Sequence, residues 1–248
     1  MVNSKLKSQN LKDYHCHILP AIDDGAADPA EALAMARILA AAGFREVHCT
    51  PHLIKGAYET SPASVREAVA NLQQALDDAG IPLRLKPGME YSLDEFLLNY
   101  LADPLPLGDS SMVLVEAPFQ AAPPYLAEIM YQVIRRGFTP LIAHPERCEV
   151  FHDNAKLKTQ NSELRGAKLL DTLRDMGCLF QGNIGSFAGF YGERVRRHAQ
   201  RFLEMGLYTH LGSDAHDSRH LERNLTAGLA TISRIIGTER DEALPGGR

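Results

Sequence analysis

SMVLVEAPF, residues 111–119, runs apolar from Met112 to Val115 and then meets a carboxylate at Glu116. Such a run fits a strand covered on both faces, as in a parallel sheet. A carboxylate at its end is costly to bury unless it is paired or holds a metal ion, so Glu116 reads as a ligand. The same grammar recurs in both directions along the chain. TPLIAHPER (139–147) ends on His144 and Arg147, and CLFQGNIG (178–185) follows it. YTHLGSDAH (208–216) ends on Asp214 and His216. Upstream, DYHCHIL (13–19) carries His15 and His17, REVHCTPH (45–52) ends on His52, and LRLKPGMEY (83–91) reaches Glu90.

A helical segment follows each strand. Asp28 with Pro29, and Ser61 with Pro62, are N-cap and first-turn pairs, and Gly43, Gly80, Gly137 and Gly177 are stops. Further helices are predicted around 94–101 and over 124–136, 162–176, 192–206 and 221–236. Seven strand–helix units imply parallel strands joined by crossover helices. An open sheet and a closed barrel both satisfy that pattern. Polar residues at the carboxyl ends of nearly all strands can meet only if the sheet closes. The expectation is an α/β fold, a distorted (β/α)7 TIM-like barrel, as a single domain over 1–240 with a disordered tail at 241–248.

Composition narrows the class. The 248 residues are 45% apolar and 23% charged, which suits one globular domain. A net charge of -5 without a dense basic cluster argues against nucleic acid as a partner. No apolar run is long enough to span a bilayer, and no apolar stretch follows the first lysines, so neither membrane insertion nor a signal peptide is expected. The four scattered cysteines read as free thiols of a cytoplasmic protein.

The ten histidines carry more information. Alternation puts His15 and His17 on one strand face, where they can share an ion. Asp23 and Asp24 follow in the next loop, and either is a candidate third ligand or a solvated turn residue. His52 and Glu90 stand at strand ends, where each alone reads equally as a surface or capping residue, and period two sets Asp214 and His216 together. His48 is read as pointing away and His198 as solvated. The set exceeds what one ion takes, which implies two or three; nitrogen and oxygen donors suit Mn, Fe or Zn. Clustered divalent ions activate water and clamp the oxygens of a displacement. Arg147 offers a planar fork to an anion such as phosphate, the alternative being a salt bridge to Glu146 or Glu149. The nucleophile is then a metal-bridging hydroxide. No cysteine stands six residues before an arginine, and no GxSxG elbow occurs.

The set DYHCHILPAIDDGA, CTPH, GMEY, LVEAPF, IAHPER, GSFAGFYG and GSDAH resembles the PHP (polymerase and histidinol phosphatase) superfamily. Within it the chain is most similar to the bacterial manganese-dependent tyrosine-protein phosphatases of capsule and exopolysaccharide operons (CpsB/CapC type). The resemblance implies a seven-stranded barrel with three divalent ions, usually manganese. One ion would take His15, His17, Glu90 and Asp214; a second Glu90, Glu116 and His144; a third Asp24, His52 and His216. Arg147 would bind the phosphate of a phosphotyrosine protein, typically a tyrosine autokinase of polysaccharide export. Relatives carry a second phosphate-binding arginine some five residues after the last motif histidine; Arg219, three residues after His216, is its counterpart on a shortened loop. The segment 148–166 also departs from the family pattern. The main alternative on this scaffold is a small-molecule phosphatase such as histidinol-phosphate phosphatase. An amidohydrolase would want a bridging lysine, and a catalytically dead regulator would lack a ligand.

Overall fold

Asp28 accepts a hydrogen bond from the Glu31 amide and Pro29 occupies the first turn, so α1 (Pro29–Ala42) begins there and stops at Gly43, whose φ is 104°. Ser61 caps α2 (Pro62–Asp78) in the same way. Val65, Val69, Leu72 and Leu76 on α2 are buried at helical spacing, which lays that face on the sheet. The computed structural model describes residues 10–120, 123–152, 156–158 and 163–242.

The strands are β1 (Leu11–Cys16), β2 (Phe44–Cys49), β3 (His52–Leu53), β4 (Arg84–Pro87), β5 (Glu90–Ser92), β6 (Met112–Glu116), β7 (Thr139–Ala143), β8 (Lys156–Lys158), β9 (Glu163–Arg165), β10 (Leu179–Asn183) and β11 (His210–Gly212). One parallel sheet runs β1-β2-β4 and a second β11-β10-β7-β6-β5-β3. Two of the expected strands are each broken in two. Thr50 and Pro51 separate β2 from β3, and Gly88 and Met89 separate β4 from β5. Because β2 leads into β3 and β4 into β5, the two sheets are courses of one curved surface. Its last strand returns to its first: Asp214 N donates to His15 O at 2.7 Å, and His17 N donates to Ala215 O at 3.0 Å. A parallel bridge between Cys16 and Ala215 lies between these bonds. The order is that of a seven-stranded ring with helices outside it, distorted at the two breaks.

The remaining helices are α3 (Leu97–Tyr100), α4 (Leu126–Arg135), α5 (Gly166–Asp175), α6 (Ile184–Phe187), α7 (Glu193–Glu204) and α8 (Leu221–Glu242). Three features differ from the sequence reading. The short α6 interrupts the connection after β10. The antiparallel pair β8–β9 occupies the segment that departs from the family pattern. And α8 runs past Ile236 through Glu242, so residues 241 and 242 are helical; residues 243–248 of the expected tail lie outside the described residues. Among the described residues, no helix is long and apolar enough to cross a membrane.

Leu107, Leu114, Leu141 and Ala143 form a buried apolar plug with Tyr14, Met112 and Leu179 against it. Leu114 precedes Glu116 on β6 and Leu141 lies on β7 just before His144, so the plug floors the carboxyl end of the ring.

Candidate metal centre

Strand register sets the first neighbours. His52 on β3 is paired with Glu90 on β5, and Ser92 at the end of β5 is paired with Glu116 on β6. Asp13 and His15 share one face of β1, and His17 follows just past its end. The alternation argument fails for Asp214 and His216, because β11 stops at Gly212. Asp214 instead turns back with φ of 51°, and His144 has φ of 29°. Left-handed backbone at a non-glycine residue costs about 1–3 kcal/mol. At both positions it turns a polar side chain into the ring.

His15 and His17 decide what the centre can hold. Nδ1 of His15 lies 3.0 Å from Gln181 Oε1, and Nδ1 of His17 lies 2.7 Å from Asp23 Oδ2. Both partners accept, so each Nδ1 carries the ring hydrogen and each Nε2 presents a lone pair. The two Nε2 atoms are 3.0 Å apart. Glu90 Oε2 is 3.2 and 3.3 Å from them, and Asp214 Oδ1 is 3.3 and 3.4 Å. With both rings neutral, these two nitrogens and the two carboxylate oxygens are four acceptor atoms with no hydrogen between them, an arrangement that a cation in place of the protons satisfies. Both carboxyl oxygens of Glu90, and Nδ1 of His144, are buried without a hydrogen-bond partner.

The charge balance points the same way. Burial and then the neighbouring Glu90 push the Glu116 carboxyl up to about 8. His15 is raised to about 9: burial opposes its charge, but Glu90 and Asp214 prevail. A site that must hold extra protons among its carboxylates is one that divalent cations neutralise.

Around this centre the ligating atoms fall into four overlapping groups: His15, His17 and Asp214; His15, Glu90 and His144; His52, Glu90 and Glu116; and His17, Asp24, His52 and His216. All nine ligand candidates from the sequence lie in these groups. The partition differs in detail from the one the resemblance implies, since Glu116 groups with His52 and His144 with His15. Their own separation, His144 Nε2 to Glu116 Oε1, is 3.6 Å. Of the two loop aspartates, Asp24 faces the centre, 3.6 Å from Nε2 of both His52 and His216. Asp23 stands behind, accepting from the amides of Gly25 and His52 as well as facing His17. Burial works against its charge, but His17 outweighs it and holds the carboxyl at about 2.

Arg147 lies against the group containing Asp214. Its Nη1 donates to Asp214 Oδ2, which also accepts from Asn183 Nδ2 at 2.9 Å. The guanidinium is sandwiched between the rings of Phe119, at 4.6 Å, and Tyr191, at 4.2 Å. Neither Glu146 nor Glu149 pairs with it. Glu149 holds Arg194 at 2.9 Å. Glu146 is fully buried and accepts from Ser186 Oγ at 2.7 Å, Tyr208 Oη at 2.9 Å and the Asn183 amide at 3.0 Å. It thereby ties the His144–Arg147 turn to β10 and α6. Arg219 sits at the rim, 80% exposed, with its guanidinium on Asp217.

The sequence reading did not single out Gln181, Tyr191, Phe119, Asn183 or Asp13. Gln181 interrupts an apolar strand as Glu116 does, and the same rule finds it. His48 stacks on Tyr14 at 4.9 Å, outside these groups. His198, read as solvated, is instead half-buried and stacked on His152 at 3.7 Å. Cys16 lies between two candidate ligands in sequence, but its thiol donates to Ala215 O at 3.8 Å and joins none of the groups.

Comparison with known proteins agrees with this architecture. Tyrosine-protein phosphatase YwqE of Bacillus subtilis is 35% identical over 229 residues, covering 92% of this chain and 85% of that protein. Tyrosine-protein phosphatase CpsB of Streptococcus pneumoniae is 29% identical, covering 94% and 93%. A solved structure from work on these two proteins, described there as unique metal-dependent tyrosine phosphatases, superposes with a TM-score of 0.81 at 34% identity, covering 92% of this chain and 89% of that one. The fold is shared with histidinol phosphate phosphatase of Lactococcus lactis, with a TM-score of 0.57 at 15% identity, covering 91% and 94%. The family model for capsular polysaccharide synthesis, CpsB/CapC, matches residues 11–245, and the chain belongs to that family.

Proposed function

We propose that this protein is a metal-dependent protein-tyrosine phosphatase, hydrolysing the phosphomonoester of a phosphotyrosine protein in capsule or exopolysaccharide synthesis. The observation that carries the reading is the convergence of His15, His17, Glu90 and Asp214 on one point, with Arg147 against the same aspartate. Divalent ions held there would activate water and neutralise the charge that develops on the phosphoryl oxygens.

Each residue then has a part. Gln181 and Asp23 keep the Nδ1 hydrogens of His15 and His17 occupied, so that both Nε2 lone pairs face inward. His144 and Glu116 complete one side of the centre; Asp24, His52 and His216 complete the other. Arg147 binds the phosphate with the donors that Asp214 leaves free, while Phe119 and Tyr191 hold its plane. Arg219, paired with Asp217 at the rim, is a second phosphate contact only if that pair opens. Three ions are the number we favour, since the nine ligand candidates fall into more than two overlapping groups. Manganese suits the all nitrogen and oxygen donor set. We further propose a tyrosine autokinase as the substrate protein. The four buried, unpaired cysteines fit a cytoplasmic setting.

The test is phosphate release from a tyrosine-phosphorylated peptide and from histidinol phosphate, side by side, in manganese-loaded protein. Preference for the peptide supports the proposal. Preference for histidinol phosphate keeps the metal centre and moves the substrate to small molecules.

A further inference from the structure

A cavity of about 240 Å³ opens from Arg147, Asp214 and His216 outward to Phe190, His220 and Asn224. A second cavity, of about 400 Å³, lies beyond it, between Gly189 and Phe190 on one side and Arg223 and Asn224 on the other. Phe190, His220 and Asn224 line both, so the two form one continuous groove leading away from the metal centre. Phe190 stands at the junction, 49% exposed, with its ring edge-on to Tyr191 at 5.0 Å.

Charge separates the second cavity from the opposite flank, Asp217 lying at the border because it lines the first cavity as well. No carboxylate lines the second cavity, and Arg223 has no ion-pair partner among the described residues. On the other side of His216, a cavity of about 510 Å³ carries Asp24, Asp28, Glu31 and Asp217, and its arginine, Arg219, is already held by Asp217. An acidic chain leaving the centre is repelled along that flank and attracted along the Arg223 groove.

Resting on the phosphatase reading above, we infer that the Arg223 cavity is the subsite for the polypeptide adjoining the phosphotyrosine, and that it takes an acidic residue. The aromatic ring fills the first cavity against Phe190, and the flanking chain passes over Phe190 to place a carboxylate on Arg223. Selection then depends on the charge next to the tyrosine as well as on its phosphate.

The experiment uses the manganese-loaded full chain and three kinds of substrate: p-nitrophenyl phosphate, phosphotyrosine peptides with Glu on one or the other side of the tyrosine, and the same peptides with Lys there. The wild type is expected to favour one Glu peptide over its Lys counterpart by about two- to fivefold in kcat/KM, the range an exposed ion pair supplies. Arg223→Ala abolishes that preference and Arg223→Glu reverses it, while p-nitrophenyl phosphate turnover stays unchanged. High salt weakens the preference in the wild type alone. Equal ratios in wild type and variants, with all substrates hydrolysed, overturn the subsite alone. No phosphate release from any substrate by the wild type overturns the phosphatase reading and the subsite with it.

Discussion

Arg147 holds Oδ2 of Asp214 while Oδ1 of the same carboxylate lies 3.3 and 3.4 Å from Nε2 of His15 and His17. One aspartate therefore joins the group we assign to phosphate binding to the group we assign to the ions. Arg147→Lys keeps a positive charge but loses the planar fork and its stacking between Phe119 and Tyr191. We expect kcat/KM to fall about 10- to 100-fold, as for a lost charge-assisted hydrogen bond, with metal content unchanged because Asn183 still holds Asp214. Steady-state kinetics with metal analysis checks both; unchanged kcat/KM removes Arg147 from the phosphate site.

Removal of divalent ions by a chelator should abolish activity, and manganese should restore it. His15→Ala and Asp214→Ala should each cost more than the roughly 100-fold typical of residues that only support a ligand. Activity that survives both treatments means that the convergent ligands are not the reaction centre.

Gln181→Leu and Asp23→Asn leave every ligand in place but release the rings of His15 and His17. Metal affinity should drop about 10- to 100-fold. A competition titration against a chelating dye reads this directly, and saturating manganese should recover most of the activity.

All four cysteines are buried and unpaired, and burial is the first cause raising each thiol above its ordinary range. None is primed as a thiolate. Turnover should persist in the presence of iodoacetamide, and Cys49→Ser, Cys148→Ser and Cys178→Ser should retain most of it. Rapid inactivation by alkylation of the folded protein would point to a covalent cysteine route.

His48 provides a pH dependence away from the metal centre. Burial lowers it to about 4; Glu46 counters this, while Lys12, Lys86 and His210 add to it, and Tyr14 stacks on its ring. The unfolded chain, with histidine near 6.5, binds a proton that the folded chain refuses. The stability this neutral histidine confers is complete above pH 6.5 and is lost as pH falls toward 4, by roughly 3 kcal/mol in full. His48→Phe should flatten that fall, as read by melting temperature from pH 7 to 4.5. Parallel curves for wild type and variant would contradict it.

All the candidate ligands but Asp24 were legible in sequence because each stands at or near the end of an apolar strand, a local pattern that needs no knowledge of partners; the choice of Asp24 over Asp23 in the loop came from the family resemblance. The supporting residues were not. Gln181 meets His15 across 166 positions, and Glu146 meets Tyr208 across 62; nothing near either residue announces its partner. The breaks at Thr50-Pro51 and Gly88-Met89 were hidden for a different reason. A Cβ on Gly88 would lie 2.6 Å from Leu107 Cδ2 and 3.3 Å from Thr50 Cγ2, so the interruption answers to tertiary packing rather than to turn chemistry. Asp214 was placed beside His216 by alternation, yet a left-handed turn brings it there.

The seam of the ring lies inside the metal centre: the Cys16–Ala215 bridge is flanked by His15 and His17 on one strand and by Asp214 and His216 on the other. The ligands farthest apart along the chain are thus neighbours in space. During synthesis, an incomplete chain can form its early helices but cannot assemble the centre until its seventh strand has left the ribosome. Ions held by these residues would fasten the two edges of the sheet like a clasp, so that starvation for metal would loosen the closure of the fold as well as silence its chemistry.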